Sequence, residues 1–188
     1  HRPSSLDDAA VAIKGAGDGT FLAGGQTLLP ILKLRLANPS DVVDLGSIAE
    51  LKGITVDGDT VTIGAMTPHA EVAGSADVCA KIPALADLAE SIGDLQVRNR
   101  GTIGGSIANN DPAADYPAAV VGLGATVHTN ARTIAADDFF TGLLETALND
   151  GEIITAVSFP VPDKAAYQKY GNPATSSFDI PKNRRYFR

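Results

Sequence analysis

Leu6, Ala9, Ala10 and Ile13 recur at helical spacing and share one face. Ser5 followed three places later by Asp8 is a capping-box spacing, so a helix is expected to start there and to stop in "GAGDGT", residues 15–20. "TFLA" then predicts a short strand running into Gly24-Gly25. "LLPILKLRL" predicts a short helix with Leu28, Ile31, Leu32 and Leu36 along it, Pro30 being tolerated in its first turn. Asn38-Pro39 ends that helix, and "DVVDL" predicts the next strand. Strand, helix and strand in so short a span imply a parallel βαβ unit.

From Ile54 the period changes to two. "ITV", Asp57-Gly58-Asp59 and "TVTIGA" predict a hairpin with a tight turn. Thr67-Pro68 reads as a helix start, with Thr67 as N-cap and Pro68 in the first helical position. Residues 83–92 form the clearest helix: Pro83 opens it, Leu85, Leu88, Ala89 and Ile92 share a face, and Gly93 closes it. Asp115-Tyr116-Pro117 opens another. "ATVHT", "RTIAA" and "EIITAVSFPV" predict further strands. The pattern is α+β: a small βαβ lobe over 1–52, a second, mostly antiparallel lobe over 53–162, and a terminal segment over 163–188.

Charge and cysteine usage narrow the function. The 188 residues carry a net charge of −7, which argues against a nucleic-acid partner. Residues 163–188 hold six Lys/Arg against two Asp, so the acidity lies in the preceding chain; this basic tail reads as solvated. No apolar run is long enough to span a membrane, and no signal-peptide pattern opens the chain. The chain opens on His1, so native residues are expected to precede it. One cysteine, Cys79, excludes an internal disulfide and suits a cytoplasmic protein. Cys79 is expected to be buried beside Val78 and Ile82, and Arg98 and Arg100 to be solvated. His1, His69 and His128 lie far apart, and no Cys/His cluster is available for zinc or an iron–sulfur centre. Any metal chemistry is expected to come from another chain.

Two segments carry the chemistry: "FLAGGQTLL" at 21–29 and "RNRGTIGGSIANND" at 98–111. Glycine permits positive φ and a close approach of backbone N–H groups to a ligand, and a following helix adds its partial positive charge, so anions bind there. Thr27 and Ser106 add hydroxyl donors. Either loop alone reads first as a tight turn. No Gly-Lys-Ser/Thr follows Gly25, so there is no P-loop, and "GAGDGT" lacks the Rossmann spacing. Two such loops, one per lobe, suggest a diphosphate held between lobes, as in an extended dinucleotide such as FAD. Asn109 is a candidate donor to it. Asp115 is a candidate acceptor from a ribose hydroxyl, or else a helix cap.

With "VVDLG" and "GEIITAVSFPVP", these segments resemble the FAD-binding medium subunit of the molybdenum hydroxylases, the carbon monoxide dehydrogenase and xanthine dehydrogenase type. Its flavin fold is shared with vanillyl-alcohol oxidases. The resemblance covers nearly all of residues 1–169 and implies a two-lobed fold with FAD on both loops; with no histidine or cysteine beside either motif to attach it, the FAD is expected to be non-covalent. By motif, Ala23, Gly24, Gly25, Gln26, Thr27 and Leu28 match the first loop. Thr102, Ile103, Gly104, Gly105 and Ser106 match the second. Asn109, Asp115, Ile153, Ile154 and Lys169 match further FAD contacts. Gly25 and Gly105 are expected to need positive φ; Cys79 and His69 are assigned no contact.

The resemblance further implies an electron-transfer role. Partner subunits, an iron–sulfur small subunit with 2Fe-2S clusters and a large subunit with the molybdenum cofactor, deliver electrons that FAD passes to an external acceptor. No residue here is assigned as a catalytic acid, base, nucleophile or metal ligand. Two other readings stand beside it: a stand-alone flavin oxidoreductase of the same fold, and a truncated, non-catalytic binding fragment. Members of the carbon monoxide type usually carry His at the position of Gln26, a departure that bears on carbon monoxide as substrate. The family continues past "AYQKY" into a C-terminal lobe. Here "GNPATSSFDIPKNRRYFR" starts like that lobe and then departs, so the chain reads as a truncated or frame-disrupted version of the subunit.

Overall fold

The computed structural model describes residues 1–169 and the backbone of residues 185–187. Helix α1 (Leu6–Gly15) begins as its pattern predicts: the Asp8 N–H donates to Ser5 Oγ at 3.2 Å. Strands β1 (Gly19–Leu22) and β2 (Asp41–Asp44) pair in parallel, with Phe21 opposite Val43, and α2 (Leu28–Lys33) connects them. The expected βαβ unit is present, but α2 is shorter than its apolar pattern. Arg35 takes φ 57°, a left-handed conformation that stops the helix. Leu36 therefore lies off the helix and is 73% exposed.

Two 3₁₀ turns, Leu45–Ser47 and Ala49–Leu51, lead to the hairpin β3 (Ile54–Asp57) and β4 (Thr60–Gly64). Its two-residue turn places Gly58 at φ 57°, where glycine has no Cβ to strain. Six helices follow: α3 (His69–Gly74), α4 (Ala76–Lys81), α5 (Pro83–Glu90), α6 (Leu95–Arg98), α7 (Ile103–Asn109) and α8 (Tyr116–Gly122). Then come β5 (Thr126–Thr129), β6 (Thr133–Ala135), α9 (Ala136–Phe139), β7 (Phe140–Gly142), β8 (Glu145–Thr146), β9 (Ile154–Pro160), β10 (Tyr167–Lys169) and β11 (Arg185–Phe187). The mixture of helices with an antiparallel sheet is the expected α+β fold.

The main sheet has the order β3-β4-β9-β5-β6 and is antiparallel throughout. Period-two alternation sends Val61, Ile63, Val127, Val157 and Phe159 into a core shared with Leu85, Leu88, Ile103 and Val120. On the other face Ser158 Oγ is bonded to Thr62 Oγ1 at 2.8 Å and to His128 Nε2 at 2.7 Å.

A second, smaller core holds Ala9, Val43, Leu45, Ile48, Leu51, Met66 and Ile153. The seam between the cores passes through two pairs of neighbours. Ala65 packs in the large core and Met66 in the small one; Ile154 packs in the large core and Ile153 in the small one. This is period two at work, since adjacent residues of an extended chain point to opposite sides.

Three local expectations are corrected. Thr67 does not cap α3: Pro68 holds the N-cap position, and the Thr67 hydroxyl is turned to Gly53, donating to its carbonyl at 3.1 Å and accepting from its N–H at 3.0 Å. Cys79 is exposed, with Sγ donating to the Ala73 carbonyl; Val78 and Ile82, four apart, take the inward face of α4 and the turn after it, and Cys79 falls beside that face. Arg98 is not solvated. Its side chain is 15% exposed and donates to the Ile92 and Gly93 carbonyls and to Glu90. Much of the basic segment 163–188 lies outside the described residues. Among the described residues no helix is long and apolar enough to cross a membrane.

Candidate flavin site

A cavity of about 530 Å³ opens along the seam of the two cores, within the size range of small-molecule sites. All of residues 23–28 line it. So do Thr102, Gly104, Gly105, Ser106 and Asn109 from the second loop, and Ile153 and Ile154 from the segment entering β9. The structure thus gathers segments separated by up to 131 positions around one space. Ile103, Asp115 and Lys169 are not among the lining residues. Ile103 is fully buried in the large core.

The loops are packed on each other. A Cβ on Gly24 would lie 2.1 Å from the Arg100 carbonyl oxygen and 2.8 Å from the Gly101 Cα. No side chain fits there. Gly25 takes φ +76°, a conformation that L residues resist.

The two loops differ in what they offer a ligand. In the first, no described group accepts from the backbone N–H of Gly24, Gly25, Gln26, Thr27 or Leu28. Thr27 makes no side-chain capping bond; Gln26 Nε2 turns back to the Gly24 carbonyl at 3.4 Å. Five consecutive donors along a cavity wall are a ready seat for an anion.

In the second loop the donors are spent. Ile103 N–H reaches Thr67 O at 3.3 Å, and Gly104 N–H reaches Ala65 O at 2.9 Å. Gly105 N–H reaches the capping Thr102 Oγ1 at 3.2 Å, and Ser106 N–H reaches Thr102 O at 3.0 Å. Gly105 is helical, against the expectation of positive φ. Its neighbour Gly104 is the one that needs glycine, since a Cβ there would lie 2.6 Å from the Ala65 Cβ. This loop is therefore a docking turn against β4 whose polar contribution comes from the Ser106 hydroxyl and the Asn109 amide.

The β9 entry is held by Glu152, a residue the sequence did not single out. Its carboxylate accepts from Thr129 Oγ1, Arg132, the Asn149 N–H and Asn149 Nδ2, at 2.7–3.1 Å. The Arg132 guanidinium above all holds its pKa down to about 2. Asn130 grips the next residue from both sides, its Oδ1 accepting from Ile153 N–H and its N–H donating to Ile153 O, each at 3.0 Å. The only sequence signal for this clamp is a Glu before two isoleucines.

Asp115 sits in the N-cap position of α8 but makes no side-chain capping bond. Its buried carboxylate accepts from the Tyr167 hydroxyl and from Lys169 Nζ, the latter at 3.1 Å. Lys169 also donates to the Ser91 carbonyl at 3.0 Å. His69, which the sequence reading set aside, lines the cavity. Burial lowers its pKa to about 4, with Asp115 opposing.

Among the described residues no group of three or more His, Cys, Asp or Glu is placed to hold a metal ion. The donor set instead fits a phosphorylated, partly aromatic ligand: a row of amides at one wall, and Ile153, Ile154, Leu28 and Met66 beside it.

The family described as the FAD binding domain in molybdopterin dehydrogenase matches residues 1–162. The chain is 44% identical over 177 residues to the carbon monoxide dehydrogenase medium chain of Afipia carboxidovorans, covering 90% of this chain and 62% of that one. It is 38% identical over 174 residues to the glyceraldehyde dehydrogenase medium chain of Sulfolobus acidocaldarius, covering 89% and 62%. Among solved structures, a Cu,Mo-CO dehydrogenase in its cyanide-inactivated form superposes with a TM-score of 0.87 at 42% identity, over 92% of this chain and 63% of that one. The chain spans about three fifths of the length of these relatives.

Proposed function

The chain belongs to the family of FAD-binding domains in molybdopterin dehydrogenases, and from that premise we propose that it is the flavin-carrying part of an electron-transfer subunit. One observation carries the reading: the five consecutive N–H groups of residues 24–28 along the cavity wall, none with an acceptor among the described residues. They suit the diphosphate of FAD. Charge-assisted bonds of this kind contribute roughly 1.5–3 kcal/mol each, enough for several to hold a non-covalent cofactor.

The residues would divide the work as follows. The first loop holds the diphosphate by its backbone. Ser106 and Asn109 add hydrogen bonds from the opposite wall. Ile153 and Ile154 offer apolar surface to the ring system, fixed in place by Glu152 and Asn130. Asp115, buried, and Lys169, partly exposed, pair beyond the lining residues and brace the wall. The bound flavin supplies the redox chemistry, accepting electrons and passing them on. The protein positions it and excludes water.

We further propose the partners that the family resemblance implies: an iron–sulfur subunit that delivers electrons and a molybdenum subunit that oxidises the substrate, all in the cytoplasm. In this reading the chain forms lobes over 1–52 and 53–162 with the flavin between them, Met66 and Ile153 of the second lobe reaching into the small core. The test is to co-express the chain with iron–sulfur and molybdenum subunits of this family from the same source, purify by a tag on this chain, and identify released cofactor after heat denaturation. FAD in the supernatant with both subunits retained is the expected result. FMN, or no flavin, refutes the cofactor; FAD without the subunits favours a stand-alone flavoprotein.

A further inference from the structure

His69 belongs to neither glycine loop, yet it lines the same cavity and is only 5% exposed. Its backbone N–H donates to the Gly101 carbonyl at 3.0 Å, which fixes the start of α3 against the second loop. Gly101 admits the ring: a Cβ at 101 would lie 2.5 Å from His69 Nε2. On its other side the imidazole meets Tyr116, with ring centroids 5.3 Å apart and planes tilted by 44°.

Neither ring nitrogen has a hydrogen-bond partner among the described residues. Nδ1 is buried and unpaired, and the Tyr116 hydroxyl, in a fully buried residue, is unpaired too. Nε2 lies on the side of Gly101, another lining residue. A buried polar atom left unpaired is costly, and an interior that tolerates one needs a reason. Two orphans in contacting rings leave no proton unused if one water bridges them, the phenol donating to it and Nδ1 accepting from it. That choice puts the imidazole proton on Nε2. The charged group acting on the ring is Asp115, Tyr116 is its ring neighbour, and burial keeps the imidazole neutral.

We propose that His69 is a further ligand-contacting residue of this cavity, a neutral imidazole whose Nε2–H donates to an oxygen of the bound flavin dinucleotide while Nδ1 accepts on the Tyr116 side. The inference rests on the FAD reading above and adds a contact outside the loop motifs. It also explains Gly101, since any side chain there would displace the donor.

The test titrates FAD into the full chain in its co-expressed complex, stripped of flavin, and follows flavin fluorescence. His69→Leu is expected to weaken binding about tenfold, the loss of one hydrogen bond. His69→Gln, which keeps a donor at similar reach, is expected to stay within about threefold. The second readout is ¹⁵N NMR of histidine-labelled wild-type protein, with His69 assigned by its absence in the Gln variant. It should show the neutral Nε2–H tautomer at pH 7 and a change at Nε2 when FAD is added. A Leu variant with wild-type affinity, or an Nε2 resonance indifferent to FAD, overturns the proposal even if the Leu variant proves unstable. Wild-type protein that takes up no FAD overturns the cofactor reading, and this inference with it.

Discussion

Gly24 and Arg100 meet backbone to backbone, so closely that a methyl on Gly24 would fall 2.1 Å from the Arg100 carbonyl oxygen. The two glycine loops are therefore one unit. Residues 24–28 can present their amides in a row because the second loop props them from behind. Gly24→Ala must push the loops apart, an overpacking that typically costs about 1–3 kcal/mol. The expected outcome is loss of FAD retention together with a lower urea midpoint. Gly105→Ala is the contrast: its nearest neighbours would be Thr102 Oγ1 at 3.1 Å and Ala23 Cβ at 3.2 Å, in helical backbone. It should keep FAD binding within a few-fold. Equal damage from both substitutions would refute the packing argument.

Thr102 ties the second loop to itself, its hydroxyl accepting from Gly105 N–H at 3.2 Å. Thr102→Ala removes the N-cap of α7 and should cost about 1 kcal/mol of stability. Thr102→Ser keeps the acceptor and should restore most of it. Chemical denaturation of the three proteins decides this; a Ser variant no better than Ala would show that the methyl, not the cap, matters.

Much of this was legible in the chain because the signals are local. Ser5 and Asp8 announce α1, the alternation from Ile54 announces the hairpin, and paired glycines mark both loops. The inequality of the loops was not legible. It depends on the Ala65 and Thr67 carbonyls reaching Gly104 and Ile103 across some 36–39 positions, and no window along the sequence contains both ends. His69 was hidden for the same reason, since only the fold brings it to Gly101 and Tyr116. Arg98 and Cys79 reversed their expected exposures because helices of four and six residues have too few turns for periodicity to fix a face.

Two buried groups make stability depend on acid in two windows. His69 has its folded pKa lowered from 6.5 to about 4. Between those values the unfolded chain binds more protons, so stability rises with pH there and is lost on acidification from pH 6.5 towards 4. Glu152 is lowered from 4.5 to about 2; its contribution is present above 4.5 and lost as pH falls towards 2. Melting temperatures at stepped pH should show both slopes. His69→Gln should flatten the first and leave the second, and Glu152→Gln should do the reverse. A first slope unchanged in His69→Gln would assign it to another group.

Asp115 and Lys169 were both matched to FAD contacts by resemblance, and the structure pairs them with each other at 3.1 Å. Asp115 is 5% exposed and also holds the Tyr167 hydroxyl; the Lys169 side chain is 30% exposed and also holds the Ser91 carbonyl. Removing the carboxylate leaves an ammonium and a phenol facing the space it vacated, whereas removing the ammonium leaves an anion that keeps the phenol. Breaking a buried pair from one side costs roughly 3–5 kcal/mol, and less where one partner reaches water, as Lys169 does. Asp115→Ala should therefore destabilise the flavin-free protein more than Lys169→Met. The double variant should recover part of the sum, because the second substitution removes a charge that the first stranded. Unfolding free energies of the four proteins give that coupling directly. Strict additivity would mean that the pair does no structural work.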